Sequence, residues 1–242
     1  MSKMKYHQID FSLDEKIIGK NEMPHTISIE SKEFQKYISS RAKNISAYFE
    51  NKDGLYENMP EPLCGKLIKR KNAIDFMDFT PACLSLVAVI SGKIKEIFEK
   101  LQVSKKEYVL KEISIKGYAE PFYLLFLPII SDKEFVYSGC IFEEMFDEGN
   151  TKIFSNREEY YNDTNYYLLK KVTLGKAYKD YDLLYYPQGS GYFFSERIIN
   201  AFQKENIVGY EIITGGCFYE EIEFLKQNNI DEKCPNLSVY KK

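Results

Sequence analysis

Leu86 to Ile90 is an unbroken run of five apolar residues, LVAVI, and the residues after it restrict what the chain can become. Five residues make a strand and fall far short of a bilayer span, and an unbroken apolar run suits a strand covered on both faces. Ser91 follows, with a side-chain oxygen of the kind that helix N-termini take. Ile94, Ile97, Phe98 and Leu101 then recur at i, i+3, i+4 and i+7, while Lys93, Lys95, Glu96, Glu99 and Lys100 fall mostly on the opposite face. The spacing predicts a helix from Gly92. Tyr108, Val109, Leu110, Ile113 and Ile115 suit a second strand.

The same order returns elsewhere. Ser195 follows Tyr192-Phe193-Phe194 and precedes Ile198, Ala201 and Phe202, and Gly209 leads into Tyr210-Glu211-Ile212-Ile213. Ser31 precedes Phe34, Tyr37 and Ile38, with a helix expected from about Lys32 to Phe49. Two explanations fit these offsets: an internal duplication, in which the two later copies are the better pair, or ordinary capped amphipathic helices. Further strands are expected at Tyr6–Phe11, Thr26–Ile29, Phe135–Tyr137, Tyr166–Leu174 and Asp182–Tyr186. The apolar segment from Pro121 to Pro128 is another, confined by its prolines to a sheet edge or a strand end. Phe218, Ile222 and Leu225 predict a C-terminal helix. Strands outnumber helices without a regular βαβα alternation, so the expected class is α+β with mixed or antiparallel sheets and two or three Ser-capped amphipathic helices. Met59-Pro60-Glu61-Pro62 divides an N-terminal extension, residues 1–62, from a body at residues 63–242 on which it packs.

Composition narrows the function. Up to Pro121 there are 20 Lys and Arg against 17 Asp and Glu, and beyond it 13 against 19, so the C-terminal part is acidic and a general nucleic-acid binder is not expected. The compact basic cluster Lys66, Lys69, Arg70 and Lys71 reads as a solvated loop or strand edge in preference to a phosphate site. Five widely spaced cysteines without a C-x-x-C pair point to reduced thiols in a cytoplasm, with neither a disulfide framework nor a zinc site. No apolar stretch is long enough to span a bilayer, and no membrane partner is expected.

His7 and His25 are the only histidines, and Gly189-Ser190-Gly191 lacks the rest of a dinucleotide or phosphate-loop fingerprint, so no cofactor is expected. Ser195 stands between strand and helix, where a nucleophile can sit, and a helix cap explains it more simply. Carboxylates cluster at Glu143, Glu144, Asp147, Glu148, Glu158 and Glu159, interleaved with Tyr160, Tyr161, Tyr166 and Tyr167. This mixture admits three readings: a solvated acidic face, a hydrolase using paired carboxylates, or a surface that recognises a protein.

Several segments in order carry a resemblance. They are Asn72-Ala73-Ile74-Asp75-Phe76-Met77, then Leu86 through Phe98, then Phe122-Tyr123-Leu124-Leu125, and last Phe193 through Ile199 with Ile207-Val208-Gly209-Tyr210-Glu211. Together they resemble the bacterial immunity proteins of polymorphic toxin systems, the MXAN-type immunity domain. The likeness spans roughly residues 63–213. Where such proteins have Asp-x-Glu-x-Ser after the long apolar strand, this chain has Asp132-Lys133-Glu134-Phe135 and only later Ser138. The resemblance implies a cytoplasmic antidote, not an enzyme, that binds a cognate toxin and occludes it without a cofactor. The acidic, Tyr-rich stretch is then the expected contact surface and the toxin is expected to be basic. The alternatives are a carboxylate-dependent hydrolase and a regulatory protein-binding module.

Overall fold

A computed structural model describes residues 4–20, 23–42, 59–68, 72–82, 85–147, 149–186, 191–214 and 221–224. The first elements are β1 (Tyr6–Phe11), α1 (Glu15–Ile18), β2 (Thr26–Ile29), α2 (Lys32–Ala42), β3 (Leu63–Leu67), β4 (Phe76–Thr80) and β5 (Leu86–Ser91). They are followed by α3 (Gly92–Lys100), β6 (Val109–Ile115), β7 (Phe122–Phe126), β8 (Ile141–Glu144), β9 (Thr151–Lys152), α4 (Arg157–Asn162) and β10 (Tyr167–Leu174). The last are β11 (Leu183–Tyr186), β12 (Gly191–Ser195), α5 (Glu196–Lys204), β13 (Tyr210–Ile212) and β14 (Glu221–Phe224). The class is α+β, as the mixture of short strands and capped helices implies. Two compact units form, one from Met1–Ser131 with Tyr181–Thr214 and the other from Asp132–Asp180 with Gly215–Lys242.

In the first unit, strands β2-β3-β6-β7-β5-β4 close into a barrel, and β11-β12-β1-β13 make a separate antiparallel sheet. The apolar runs of β5 and β7 are explained by two cores that share them. Phe122, Leu124 and Phe126 belong to the core with Ile27, Ile29 and Ile113, whereas Tyr123, Leu125 and Leu127 join α3 and α5 in the other. Strand alternation therefore puts every residue of β7 against apolar neighbours.

The order of strand, serine and helix that the sequence shows twice forms a structural repeat in this unit. The strand order β4-β5-β7-β6 in the barrel matches β11-β12-β1-β13 in the second sheet, and every neighbouring pair in both is antiparallel. Each half runs from an aspartate, Asp75 or Asp182, through a hairpin to a serine, a helix and a returning strand. Both helices end on a left-handed residue at the same offset, Gln102 at φ 54° and Asn206 at φ 52°. Phe98 and Phe202, each seven residues after its serine, stack on one another with ring centroids 6.4 Å apart. Contact between equivalent residues is what a pseudo-twofold relation requires. Both rings are fully buried, and truncating either to alanine costs about 3–5 kcal/mol.

The second unit is a sheet in the order β14-β10-β8-β9. Its interior is aromatic: Phe142 lies 5.3 Å from Phe154, 4.9 Å from Tyr160 and 5.9 Å from Tyr137, and Phe154 lies 5.1 Å from Tyr167. Edge-on and offset rings fill it.

Four expectations are corrected. Residues 1–62 are not an extension packed on a body: β1 is an interior strand of the four-stranded sheet and β2 a stave of the barrel, and the chain divides at 131/132, 180/181 and 214/215 instead. The segment 221–224 is a strand that pairs in parallel with β10, so the C-terminal helix fails there; Phe218 and Leu225 lie outside the described residues. Of the two places expected for the proline-bracketed strand, the sheet edge fails and the strand end holds: β7 is a buried interior strand, and Pro121 and Pro128 lie just beyond its ends, where no ladder amide is missed. Phe135–Tyr137 is a single bridge from Phe135 to Leu174 set between two 3₁₀ turns.

Candidate partner-binding surface

Ser195, the residue placed like a nucleophile, is fully buried and its hydroxyl donates to Asp182 at 2.6 Å. Ser91 donates to Asp75 in the same way at 2.7 Å. Both serines stand at the N-cap position with extended backbone, yet neither side chain accepts from a helix amide. Only half of the expected role holds: both serines stand at the cap position, and their hydroxyls donate to the aspartate at the hairpin's start. Ser31 does cap α2, accepting from the Phe34 amide at 3.2 Å.

The acidic, Tyr-rich residues all belong to the second unit, where β8, its turn into β9, α4 and the start of β10 carry them. Much of their charge is spent inside the unit. Glu143 pairs with Lys170 at 2.9 Å and accepts from the Gly149 amide at 3.1 Å, and these partners hold its carboxyl below the usual range. Glu144 accepts from Asn150 Nδ2 at 2.8 Å, tying the hairpin's two sides. Glu159 accepts from the Ser155 amide at 2.6 Å while its own amide donates to Asn156 at 2.9 Å, a reciprocal cap for α4 that lowers the Glu159 pKa. Tyr160 and Tyr167 are half-buried members of the aromatic interior, and burial pushes both phenols up.

Tyr161 is exposed along its ring, but its hydroxyl donates to the buried Asp132 at 2.7 Å. Asp132 also takes Arg157 Nε at 2.8 Å and the Tyr137 hydroxyl at 3.3 Å, so one carboxylate fastens α4 to the segment before β8. Burial, then the bond to Asp132, pushes the Tyr161 phenol up to about 12. Asp147, Glu158 and Tyr166 are exposed, and Glu148 lies outside the described residues.

Beside these stand three residues that the charge pattern passed over: Met145, Phe146 and Ile153. Phe146 is 82% exposed and Tyr166 69%, their rings meeting edge to face at 6.4 Å, with Met145 next to them and hydrogen-bonded through its amide to Tyr166 O. A signal for them was present: Met145 and Phe146 directly precede Asp147-Glu148-Gly149-Asn150, a turn sequence, and apolar residues at a hairpin's tip have no interior to enter. Of the nine large exposed hydrophobic side chains among the described residues, five (Met145, Phe146, Ile153, Tyr161 and Tyr166) come from this stretch of the second unit.

No family model matches the chain, and no curated protein matches it in sequence. Among the described residues, no helix is long and apolar enough to cross a membrane.

Proposed function

We propose that this chain is an interaction protein of the immunity type, an antidote that binds a toxin protein and covers its working surface. The observation that supports it is the hairpin tip of the second unit, where Phe146, Tyr166 and Met145 are held outward by a tied turn. Large apolar side chains exposed together are the usual centre of a protein interface, where an aromatic anchor is desolvated and a polar rim excludes water. Asp147 and Glu158 supply exposed negative charge in the same unit, which would speed encounter with a basic partner. Glu143, Glu144 and Glu159 serve the unit's own fold, so charge is assigned to steering and the rings to affinity.

The experiment is a toxicity assay in which the product of the neighbouring gene is expressed with and without this chain. The double substitution Phe146→Ser with Tyr166→Ser should leave thermal stability within about 0.5 kcal/mol, because neither ring packs in the interior. It should weaken toxin binding by about 100-fold, or about 2.7 kcal/mol, and abolish protection. A folded double variant that protects cells as the unaltered chain does would refute this surface.

A further inference from the structure

The two halves of the first unit place the same three groups at the same offsets, and they differ in how the aspartate's charge is met. In the second half Asp182 is fully buried, and Arg197, two residues after Ser195, grips both its oxygens through Nε and Nη2. A buried carboxylate with a hydrogen-bonded guanidinium is neutralised in place. In the first half the matching cation is Lys93, also two residues after its serine. Its side chain is 65% exposed, and Nζ stands 3.8 Å from Asp75 Oδ1, beyond hydrogen-bond reach. Asp75 is buried all the same, holding the Ser91 hydroxyl and the Val208 amide.

Where the second half sets Arg197 against its aspartate, the first half has a cleft lined by Asp75 and Lys93. The cleft of about 540 Å³ lies against Asp75 and Ser91, within the range of about 300–1,000 Å³ common for ligand sites. Glu96 and Glu120 line it with Asp75, against Lys93 alone on the positive side, and Glu96 also reaches Lys100 at 3.5 Å. Ile74, Pro121, Phe122 and Val208 add apolar wall. The lining thus combines an excess of carboxylates with a greasy approach. An anion is disfavoured by the carboxylates, and a wholly apolar ligand would leave them facing it. A cation on an apolar stem satisfies both parts, the pattern of a long basic side chain.

We propose that the cleft at Asp75 receives a guanidinium group carried on an apolar stem, set against Asp75 as Arg197 is set against Asp182. Guanidinium is preferred to ammonium because its planar fork reaches two oxygens at once, and the chain's own ammonium at this place does not close on Asp75. The site belongs to the first unit and does not depend on the toxin reading. The group can come from an arginine of a docking protein or from a free guanidino compound.

The test is an amide NMR titration of the full chain with two probes, agmatine and the capped peptide Ala-Arg-Ala, and with the capped peptide Ala-citrulline-Ala as the uncharged control. Saturable shifts at Gly92 and Lys93 are expected with a Kd of about 1 mM or tighter, and the citrulline peptide should bind at least about 10-fold more weakly. Tighter binding of the peptide identifies a protein's arginine as the source, and tighter binding of agmatine a small molecule. Glu96→Gln with Glu120→Gln, both exposed and so tolerated by the fold, should weaken the tighter probe about 10-fold. Lys93→Ala should strengthen it several-fold by removing the competing ammonium. No saturable shift at about 20 mM of either probe, equal binding of the citrulline peptide, or an unchanged Kd in the double glutamine variant would overturn the proposal.

Discussion

Glu107 ties one half of the first unit to the other, and its replacement by glutamine separates the effect of its proton from that of its shape. The side chain is 3% exposed and accepts from the amides of Asp182 at 2.6 Å and Leu183 at 3.1 Å, at the start of β11. Burial is the main cause that raises its pKa from 4.5 to about 7; the amides oppose the shift and the charge of Asp182 adds to it. For an acid whose folded pKa is raised, the folded chain holds the proton more tightly than the unfolded chain between those two values. Stability from this group is therefore present below about pH 4.5, falls as pH rises, and is gone above about pH 7. At about 1.4 kcal/mol per pH unit the shift corresponds to about 3 kcal/mol, and solvent screening brings this to about 2 kcal/mol. Glu107→Gln keeps an oxygen for the two amides and has no proton to lose. Urea denaturation followed by circular dichroism from pH 4.5 to 8.5 should show the unaltered chain losing about 2 kcal/mol relative to the variant across that window. The comparison matters because His7, whose pKa burial lowers, acts with the opposite sign near its ordinary value of 6.5 and cancels between the two proteins. Parallel stability curves for the two proteins would refute the assignment.

Arg197→Met leaves Asp182 buried without its cation and should cost about 3–5 kcal/mol, whereas Lys93→Met at the matching position should cost less than about 1 kcal/mol; thermal denaturation of both variants measures the contrast. Gly209→Ala should destabilise by more than about 2 kcal/mol, because the residue sits at φ +110° and an added Cβ would stand 2.1 Å from Phe76 O; a soluble variant with an unchanged melting temperature would contradict this. Asp132→Asn should cost about 1–3 kcal/mol by weakening the bonds from Arg157 and Tyr161, with α4 losing hydrogen-exchange protection first.

How far the fold could be read from the sequence depended on whether a local pattern had one physical explanation. The run Leu86–Ile90 and the helix after Ser91 were legible because apolar residues at those spacings have a single way to be buried. Residues 221–224 were not. Glu-Ile-Glu-Phe alternates with a period of two, while Phe218, Ile222 and Leu225 fit a helix, and only pairing with Lys171–Leu174 decides between them. The supposed N-terminal extension failed for a related reason: β1 finds its partners at Tyr192–Ser195 and Tyr210–Ile212, and sequence spacing carries no trace of so distant a pairing. In the candidate surface the residue types were legible and their partners within the unit were not, because pairing decides those. Counting charges singled out Glu143 and Glu159, but Lys170 and the amides of Gly149 and Ser155 claim them.

The structural repeat stayed undecided in the sequence because its two most informative residues stand at different distances from their serines. Asp75 precedes Ser91 by 16 residues and Asp182 precedes Ser195 by 13, so no fixed-spacing pattern aligns them. The difference falls inside the hairpins, since Phe76 faces Ile90 across 14 positions and Leu183 faces Phe194 across 11. Everything measured from the hairpin's paired ends agrees: Phe76 faces Ile90 as Leu183 faces Phe194, each pair directly beside its aspartate and serine. Each half also leans on the other through the loop after its helix. Val208 offers its amide to Asp75, and Glu107 takes the amide of Asp182. The exchange is reciprocal in position and unlike in chemistry, with backbone in one direction and a carboxylate in the other. A carboxylate brought to Asp182 adds a second negative charge, and Arg197 meets it; a backbone amide brought to Asp75 adds none, and Lys93 stays 3.8 Å away. That difference accounts for a closed site in one half and an open cleft in the other.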